Sequence, residues 1–318
     1  MLSEPLVATV IVHWGPPKTT MECVRSVRAS TYRNLRIVVV DNCPERRLWQ
    51  HPFQVDDTVV YIQATTNTGY CAGNNVGILK AQEFGPGYML LLNNDTIIDT
   101  DLIRNCVTYM ENQPDISVIS PKILFYHMPR YINLAGGGLD LNTGEITFFG
   151  GNEEDVGQFD TEREITWASG CAFFARARVF EQIGLFDETL FCYGEDVDLS
   201  HRILLAGMRM MYYPKAKVWH KCSSFMVNKA ASLPTTFLTY YLWRNKFYNL
   251  RRYMTEKRGG GYGRFAFGFL RKAASYALKH RRLDLCLAML IGLADSVAGR
   301  MGKREYSLFD VPMVGPRE

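Results

Sequence analysis

Two adjacent carboxylates and a histidine downstream of them are the residues of this sequence best suited to chemistry. Glu195 and Asp196 stand where a helix is predicted to begin, and a short strand after that helix ends at His220. A carboxylate that lies beside another and is partly desolvated has a raised pKa, which suits a general base. We predict that Asp196 is the base, with Glu195 beside it, and that His220 contacts a metal or a phosphate. The alternatives are acids that stabilise a helix N-terminus and a structural strand-end histidine.

Buried strands that alternate with helices must position these groups. The apolar, mostly β-branched runs predicted as strands are Leu6–Trp14, Ile37–Val40, Val59–Gln63, Met89–Leu92 and Ile116–Phe125, the last broken by Pro121. Alternation of this kind predicts an α/β domain with a mainly parallel sheet. Ligands of such sheets bind beyond the carboxyl ends of the strands. His13, Asp41, Asn67 and Asp95 follow strands, so we expect them to converge on one edge.

Each of these strand-end residues has a chemical and a structural interpretation. Asp95 closes the segment Asn93-Asn94-Asp95. One carboxylate suffices for a hard cation if substrate diphosphate oxygens supply most of the ligands, and otherwise the segment is a turn. Asp41 accepts hydrogen bonds from a nucleoside or closes an Asx turn. Trp167 is a core residue or stacks on a sugar.

The stretch from Asn67 to Asn75 contains Gly69, Gly73 and Asn74 and precedes a helix predicted from Val76 to Phe84. Small residues before a helix N-terminus are typical of a phosphate-binding loop. The stretch matches neither the G-x-G-x-x-G nor the P-loop pattern, so a tight turn is the alternative.

Four further features of secondary structure are predicted. Thr19 and Glu22 have the spacing of a capping box at the first helix. Leu139–Phe148 is predicted as a hairpin and Gly150–Glu164 as a mobile acidic loop. Ile165–Ala175 is predicted as one strand.

Charge and cysteine content bound the class of protein. The net charge is +4, but it is unevenly distributed along the chain. Between Arg244 and Arg282 there are twelve Lys or Arg residues and one acidic residue, Glu256. Basic amphipathic helices with aromatic residues bind anionic bilayers, although a helical subdomain with solvated charges is the alternative. The eight cysteines form no C-x-x-C pair, which indicates reduced thiols and a cytoplasmic protein. We also expect no signal peptide and no membrane span.

The order of the motifs resembles the family 2 glycosyltransferases, and within them the bacterial rhamnosyltransferase-type branch. The resemblance covers roughly residues 5 to 225. It is carried by Val-Val-Asp41-Asn42, Asn67-x-Gly69 through Gly77, Leu-Asn-Asn-Asp95, Ser169-Gly170, Gly184-x-Phe186-Asp187-Glu188, and Glu195-Asp196-x-Asp198 through Arg202 with His220. Two departures from the family pattern are Asn93, in place of the first Asp of a DxD element, and Cys43-Pro44 after the second strand.

The resemblance implies a GT-A fold and inverting transfer of a sugar from a nucleoside-diphosphate sugar, a dTDP- or UDP-sugar, with rhamnose suggested by the branch. It implies a glycan or polyprenyl-linked saccharide acceptor in the synthesis of cell-surface polysaccharide. It also implies a divalent metal, Mg²⁺ or Mn²⁺, at Asp95 and His220, with Asp196 as base and Asp41 at the nucleoside. The other predicted nucleotide-sugar contacts are His13, Asn67, Gly69, Asn74, Asn94, Trp167 and Ser169.

We divide the chain into a catalytic domain, 1–233, and a basic amphipathic helical extension, 234–318. The catalytic domain has a nucleotide-sugar half, 1–125, and an acceptor half, 126–233. The extension is predicted to associate with the inner face of the cell membrane.

Three other classes of protein are the alternatives. A sugar-phosphate nucleotidyltransferase needs a Gly-rich basic loop after the first strand, where this chain has Gly15-Pro16-Pro17. A non-catalytic module would not need the acids. Binding of nucleic acid through the basic segment fits poorly with the acidic site, so no nucleic-acid partner is expected.

Overall fold

A computed structural model describes residues 4–45, 47–48, 56–141, 144–221, 234–253 and 260–304. Within these residues the strands are β1 Val7–His13, β2 Leu35–Asp41, β3 Val59–Gln63, β4 Tyr88–Asn93, β5 Thr96–Ile98, β6 Ile116–Phe125, β7 Ile132–Leu134, β8 Gly137–Leu139, β9 Ile146–Phe148, β10 Arg163–Ile165, β11 Ala172–Arg176 and β12 Arg209–His220. The α-helices are α1 Pro17–Arg28, α2 Gly69–Gln82, α3 Leu102–Asn112, α4 Arg178–Ile183, α5 Glu195–Leu205, α6 Thr236–Tyr253, α7 Gly260–Ala274 and α8 Leu283–Val297.

One large mixed sheet forms the centre of the protein. Its main strands lie in the order β10-β12-β6-β11-β4-β1-β2-β3. The strands β3, β2, β1, β4, β6 and β12 run in the same direction, since β11 is antiparallel to both β4 and β6. The predicted mainly parallel α/β sheet is therefore confirmed.

Helices cover both faces of the sheet. On β1, Val7 and Ile11 pack with α1 and α3 in one apolar cluster, whereas Ala8 and Val10 belong to the cluster on the other face. Both faces of the strand are buried because side chains alternate along it. This arrangement explains why the β1 sequence is apolar almost without interruption.

The first two predicted helix starts are wrong. Helix α1 begins at Pro17, and no side chain caps its N-terminus, so the capping box predicted for Thr19 and Glu22 is not formed. Proline at the first helical position is already favourable, because its missing N–H has no partner there. Helix α2 begins at Gly69 and not at Val76.

The glycines of α2 serve close packing against the sheet. A Cβ atom on Gly73 would lie 2.9 Å from Val12 Cγ1, and one on Gly77 would clash with Val10. Gly73 is therefore part of a helix packed on β1, and the predicted phosphate-binding loop is not present there as a loop.

Two predictions in the second half are corrected and one is confirmed. The segment predicted as one strand is divided into β10 and β11, which pair with different strands. The loop predicted to be mobile is fastened to the sheet, since buried Lys122 binds Asp155 at 3.0 Å and Asp160 at 2.5 Å. The hairpin is confirmed as β8 and β9; its turn residues 142–143 lie outside the described residues.

Strand β6 runs through Pro121 without a break. The irregularity lies in its partner, because the register of β12 shifts between Tyr213 and Lys217, opposite Pro121. A bulge in the neighbouring strand accommodates a residue that has no N–H to donate.

The three C-terminal helices pack against one another through apolar side chains. Residues of α6, α7 and α8 share a cluster that includes Leu250, Phe265 and Met289. Helices α6 and α8 approach closely at Gly292, where a Cβ atom would lie 2.7 Å from the carbonyl oxygen of Tyr240. In the described part of the chain, none of the helices combines the length and apolarity needed to cross a bilayer.

Candidate active site

The predicted convergence of strand-end residues is confirmed. His13 and Asp41 end β1 and β2, which pair in parallel register, and Asp95 follows β4 on the other side of β1. His220 ends β12, which runs in the same direction. Strand β11 runs the other way, so the segment before it, which contains Ser169, enters the same edge.

Asp95 and His220 form a pair. Strand β5 is antiparallel to β12 with Thr96 opposite His220, and this register places the preceding residue, Asp95, beside the imidazole. The distance from His220 Nε2 to Asp95 Oδ1 is 3.1 Å. Asn133 Oδ1 lies 3.5 Å from the other ring nitrogen. The two residues predicted to bind a metal are thus adjacent, although 125 positions separate them in the sequence.

Each member of this pair changes the pKa of the other. Burial opposes ionisation of Asp95, yet the charge of His220 and its hydrogen bond hold the pKa of that carboxyl below its usual value. Burial also opposes protonation of His220, but Cys171 and Asp95 raise the pKa of the imidazole well above its usual value. The pair therefore favours the ionised carboxylate.

The spacing and chemistry of Asp95 and His220 are compatible with binding of a divalent cation. Neighbouring ligands of an octahedral cation lie about 3 Å apart, which is the spacing of the Asp95 and His220 atoms. Carboxylate and imidazole are both common metal ligands. Within the described residues, however, no cluster of three or more His, Cys, Asp or Glu side chains can hold a metal by itself. A cation at this pair would need further ligands from a substrate or from water.

Glu195 and Asp196 begin helix α5, as predicted. Gly194 precedes them in a left-handed conformation, with φ of 83°. Asp196 Oδ1 accepts a hydrogen bond from the Val197 amide at 2.9 Å, and its Oδ2 accepts one from Gly170 at 3.4 Å. The carboxylate of Asp196 is thereby oriented by the segment that leads into β11.

Both carboxyl groups have raised pKa values. Burial, and then the neighbouring Asp196, raise the pKa of Glu195 to about 8. Burial raises the pKa of Asp196 to about 6, against the lowering effect of the Gly170 and Val197 amides. Interacting acids titrate as a pair, so near neutral pH the pair carries about one negative charge. An ionised carboxylate with a pKa near 6 is well matched to general-base catalysis.

One buried oxygen of this pair, Glu195 Oε2, has no partner among the described residues. The Trp167 indole N–H faces Asp196 and lowers the pKa of that carboxyl. Its ring is buried and packs edge-on against Phe148, with centroids 5.1 Å apart. The structure therefore supports the core interpretation of Trp167, while its N–H still faces the carboxylate.

Asp41 is held within the chain. Its Oδ1 accepts a hydrogen bond from Cys43 N at 3.1 Å, and its Oδ2 accepts bonds from Leu48 N at 2.8 Å and Tyr61 Oη at 2.5 Å. The side chain is fully buried. The Asx-turn alternative thus describes what the carboxylate does here, and its contact with a nucleoside stays a prediction.

The residues around β1 form a small polar network. His13 Nδ1 lies 2.6 Å from Thr20 Oγ1, and His13 is fully buried. Asn94 Nδ2 donates to Thr20 Oγ1 and to the Trp14 carbonyl oxygen, both at 2.8 Å. This network fixes the loop after β4 against the start of α1. The predicted contacts of His13 and Asn94 with a nucleotide sugar stay predictions.

The remaining predicted contacts lie at the start of α2 and before β11. Asn67 Oδ1 accepts from the Gly69 amide at 2.9 Å, and buried Asn74 donates to the Tyr70 carbonyl oxygen at 2.9 Å. Ser169 is half-buried, and its Oγ accepts from Cys171 N at 3.2 Å. These bonds are local, and ligand contacts of these residues stay predictions.

Tyr70 is a site residue that the sequence analysis missed. Its hydroxyl donates to the Gly170 carbonyl oxygen at 2.6 Å. Burial, followed by the charge of Glu195, raises the pKa of its phenol well above the usual value. The available signal in the sequence was its place within the glycine-containing stretch that starts at Asn67.

Comparisons with known proteins agree with this geometry. A sequence profile of the family described as "Glycosyltransferase like family 2" matches residues 5–234. The chain is 31% identical over 168 residues to the low-salt glycan biosynthesis hexosyltransferase Agl10 of Haloferax volcanii, which covers 52% of each chain. It is 25% identical over 257 residues to the dTDP-rhamnosyl transferase RfbF of Shigella flexneri, covering 76% of this chain and 79% of the relative. The matched region thus spans about half the length of the Haloferax relative.

The architecture is also similar to that of a solved enzyme. The crystal structure of GalNAc-T7 with UDP, GalNAc and Mn²⁺ superposes with a TM-score of 0.61 at 15% identity, covering 94% of this chain and 58% of that one. This likeness supports the predicted GT-A fold. Since the family profile covers most of the chain, including every predicted site residue, we conclude that the protein belongs to glycosyltransferase family 2.

Proposed function

We propose that this chain is an inverting glycosyltransferase that moves a sugar from a nucleoside-diphosphate sugar to an acceptor hydroxyl. The observation that supports this most directly is the arrangement of the two carboxyl sites. Asp196 begins α5 next to the segment before β11, and Asp95 with His220 lies at the same edge of the sheet. Family membership and the named hexosyl and rhamnosyl relatives point to the same reaction class.

Asp196 would accept the proton of the acceptor hydroxyl while that oxygen attacks the anomeric carbon of the donor. The bond from that carbon to the diphosphate breaks on the opposite face, and the electron pair leaves with the diphosphate. One in-line displacement inverts the configuration at the anomeric carbon. The transition state resembles an oxocarbenium ion, as in glycoside hydrolysis.

Asp95 and His220 would hold the divalent cation, Mg²⁺ or Mn²⁺. Such a cation supplies positive charge beside the leaving diphosphate. The ionised state of the Asp95 carboxylate suits that purpose. Oxygen atoms of the donor would complete the set of ligands, since the described residues offer two side chains.

The donor we propose is a dTDP- or UDP-linked hexose, with dTDP-rhamnose as the first candidate because of the Shigella relative. The acceptor we propose is a glycan or a polyprenyl-linked saccharide used for cell-surface polysaccharide, since the Haloferax relative is named for glycan biosynthesis. The compartment we propose is the cytoplasm, since the cysteines of the described residues are free thiols.

A donor panel tests this proposal. Release of nucleoside diphosphate is measured from several nucleotide sugars, with and without Mg²⁺ or Mn²⁺, and with lipid-linked saccharides as acceptors. We expect metal-dependent release from one donor. Asp95→Ala and Asp196→Asn should each lower turnover about 100-fold or more.

A matched control is Glu83→Gln, since Glu83 is an exposed carboxylate at the end of α2 that pairs with Lys80. It should keep full activity. If no donor turned over, or if Asp196→Asn kept near wild-type turnover, the proposed reaction or its base would be wrong.

We further propose that α7 and α8 rest on an anionic bilayer. These helices and the segment between them expose a set of large apolar side chains, which are Phe267, Leu270, Leu278, Leu283, Leu287 and Leu290. Exposed basic residues accompany them, namely Arg271, Lys272, Lys279 and Arg281. An apolar face with cationic residues around it suits the interface of an anionic membrane.

Several basic residues between 244 and 282 are bonded within the protein, and Glu256, Lys257 and Arg258 lie outside the described residues. Arg244 of α6 is fully buried, and Arg252 pairs with Asp187 of the catalytic domain. Arg282 pairs with Asp284. These cations are occupied within the protein and are not part of the proposed lipid-binding surface.

Vesicle co-sedimentation of the full chain tests this second proposal, with phosphatidylglycerol-containing vesicles compared with neutral ones. The double variant Phe267→Glu, Leu270→Glu should lose most of its binding to anionic vesicles. The control Leu79→Glu changes an exposed leucine of α2 and should bind normally. Equal binding by the wild type and the double variant would refute the proposal.

A further inference from the structure

The turn that leads into the candidate catalytic helix has an unusual backbone. Phe191 and Tyr193 have φ angles of 64° and 63°, and Gly194 has 83°. Non-glycine residues rarely adopt positive φ, and they do so where the surrounding structure holds them. The next two residues are Glu195 and Asp196. Whatever holds this turn therefore also determines where the proposed base stands.

Helix α6 supplies the contacts on one side of the turn. Asn245 Nδ2 donates to the carbonyl oxygens of Leu190 at 3.0 Å, Cys192 at 2.9 Å and Tyr193 at 2.6 Å. One helical turn further on, Asn249 Nδ2 donates to the Gly194 carbonyl oxygen at 2.8 Å. Two amide side chains thus bind four carbonyls of the turn.

Arg244 determines which way the Asn245 amide points. Its Nε donates to Asn245 Oδ1 at 2.9 Å. A guanidinium can only donate hydrogen bonds, so the amide oxygen must face it and the NH₂ must face the turn. Arg244 also donates to the Leu190 carbonyl oxygen at 2.9 Å and to that of Gly302 at 2.6 Å. Both Arg244 and Asn245 are fully buried.

Helix α2 holds the other side of the turn. The Phe191 carbonyl oxygen accepts a hydrogen bond from Cys71 N at 3.2 Å. At Gly69 a Cβ atom would lie 2.5 Å from that same oxygen, so the helix start fits closely against the turn. The turn is therefore fixed between α2 and α6, and the bonds of Asn245 are the most numerous side-chain bonds to it among the described residues.

We propose that Asn245 is a positioning residue, which places Asp196 for catalysis by binding the carbonyls of the turn at 190–194. Helix α6 then belongs to the catalytic unit, although the sequence assigns it to an extension. The inference rests on the proposed role of Asp196. It acts through geometry, because a misplacement of about 1 Å lowers the rate by as much as about 100-fold.

The test compares three alanine variants of α6 in the full chain. Asn245→Ala removes three bonds to the turn and Asn249→Ala removes one. Leu250→Ala is the matched control, since Leu250 is equally buried but packs with the cluster of α7 and α8. Turnover number, donor KM and melting temperature are measured for each, well below the melting temperature of the weakest variant.

We expect kcat to fall at least about tenfold in Asn245→Ala and less in Asn249→Ala, with donor KM within about twofold of wild type. Leu250→Ala should lower the melting temperature and leave kcat unchanged. This split separates positioning from stability, since a merely structural role of Asn245 would lower the melting temperature alone.

Unchanged kcat in Asn245→Ala, or an equal loss of kcat in Leu250→Ala, would overturn the inference. If Asn245→Ala did not fold, Asn249→Ala would decide in the same way. Asp196→Asn in the same assay separates the two proposals. Full activity in Asp196→Asn would reject the base and this inference with it, whereas its inactivity beside a fully active Asn245→Ala would reject the positioning alone.

Discussion

Replacing the proposed base should make the protein more stable while it abolishes turnover. Burial raises the pKa of Asp196 from 3.8 to about 6. The folded protein therefore resists ionisation of this carboxyl, and the negative charge lowers the free energy of unfolding at neutral pH. Asp196→Asn keeps the size of the side chain and removes the charge. We expect a gain in the free energy of unfolding.

The size of the gain follows from the contacts. Each pKa unit corresponds to about 1.4 kcal/mol. The shift of Asp196 therefore corresponds to at most about 3 kcal/mol, because Asp196 shares the charge of the pair with Glu195. Asparagine has one oxygen, so one of the bonds from Gly170 or Val197 is lost, which costs about 1 kcal/mol. The net gain is at most about 2 kcal/mol, which for a chain of this size corresponds to a rise in Tm of up to about 3 °C.

The pH dependence of the stability difference follows from the direction of the pKa shift. A folded pKa above the unfolded one means that the penalty is absent below about pH 4, where the group is protonated in both states. It grows between about pH 4 and pH 6 and is constant above that range. The advantage of Asp196→Asn over the wild type should follow this course. Urea unfolding at pH 4.5, 6 and 7.5 measures it.

Asp198→Asn is the control on the same helix. Asp198 is fully buried but paired, with Arg202 at 2.7 Å. Removing one partner of a buried pair leaves the other unpaired and costs about 3–5 kcal/mol. The two substitutions should therefore change stability in opposite directions. A loss of stability in Asp196→Asn at pH 7.5, or a difference that did not shrink at low pH, would refute the claim that this carboxylate is desolvated.

Three further predictions concern activity, packing and the acceptor-side loop. The kcat should be half-maximal near pH 6 and fall about tenfold per unit below it, because protonated Asp196 cannot accept a proton; a pH profile that stayed flat to pH 5 would contradict this. Gly77→Ala should cost about 1–3 kcal/mol in urea unfolding because its methyl group meets the sheet, whereas Gly263→Ala, in open space on α7, should not destabilise. Lys122→Met should speed amide hydrogen exchange at 150–164 about tenfold or more, because the anchoring ion pairs are lost; unchanged protection would show that other contacts hold the loop.

The convergence of the strand-end residues on one edge of the sheet was predictable from the sequence because the rules that set it are local. Apolar runs separated by helices predict a parallel sheet, and parallel strands bring their final residues to one edge. Asp198 and Arg202 lie four positions apart in α5, a spacing that brings opposite charges together on a helix, and they pair at 2.7 Å. Helix α5 ends at Leu205, and Gly207 just beyond it has a φ of 71°, which is common for glycine after a helix C-terminus.

Errors arose where tertiary contacts decide the local structure. Gly69 and Gly73 suggested a loop. A glycine that allows a helix to pack closely on a strand cannot be distinguished, in the sequence alone, from a glycine in a turn. The basic residues after 234 suggested a surface. Among the described residues, Arg244 is nevertheless the largest fully buried side chain, and its bonds to distant carbonyls cannot be predicted from sequence spacing.

The segment after residue 234 therefore contains two kinds of helix, although its basic and aromatic composition suggested only one. Helix α6 directs its polar residues inward, where Asn245 and Asn249 bind the turn before the proposed base. Helices α7 and α8 expose a second set of apolar side chains together with basic residues. A truncation before α6 would remove both features together, so a loss of activity could not be assigned to either. Substitutions separate them, because residues that contact the turn and residues exposed on α7 and α8 belong to different helices.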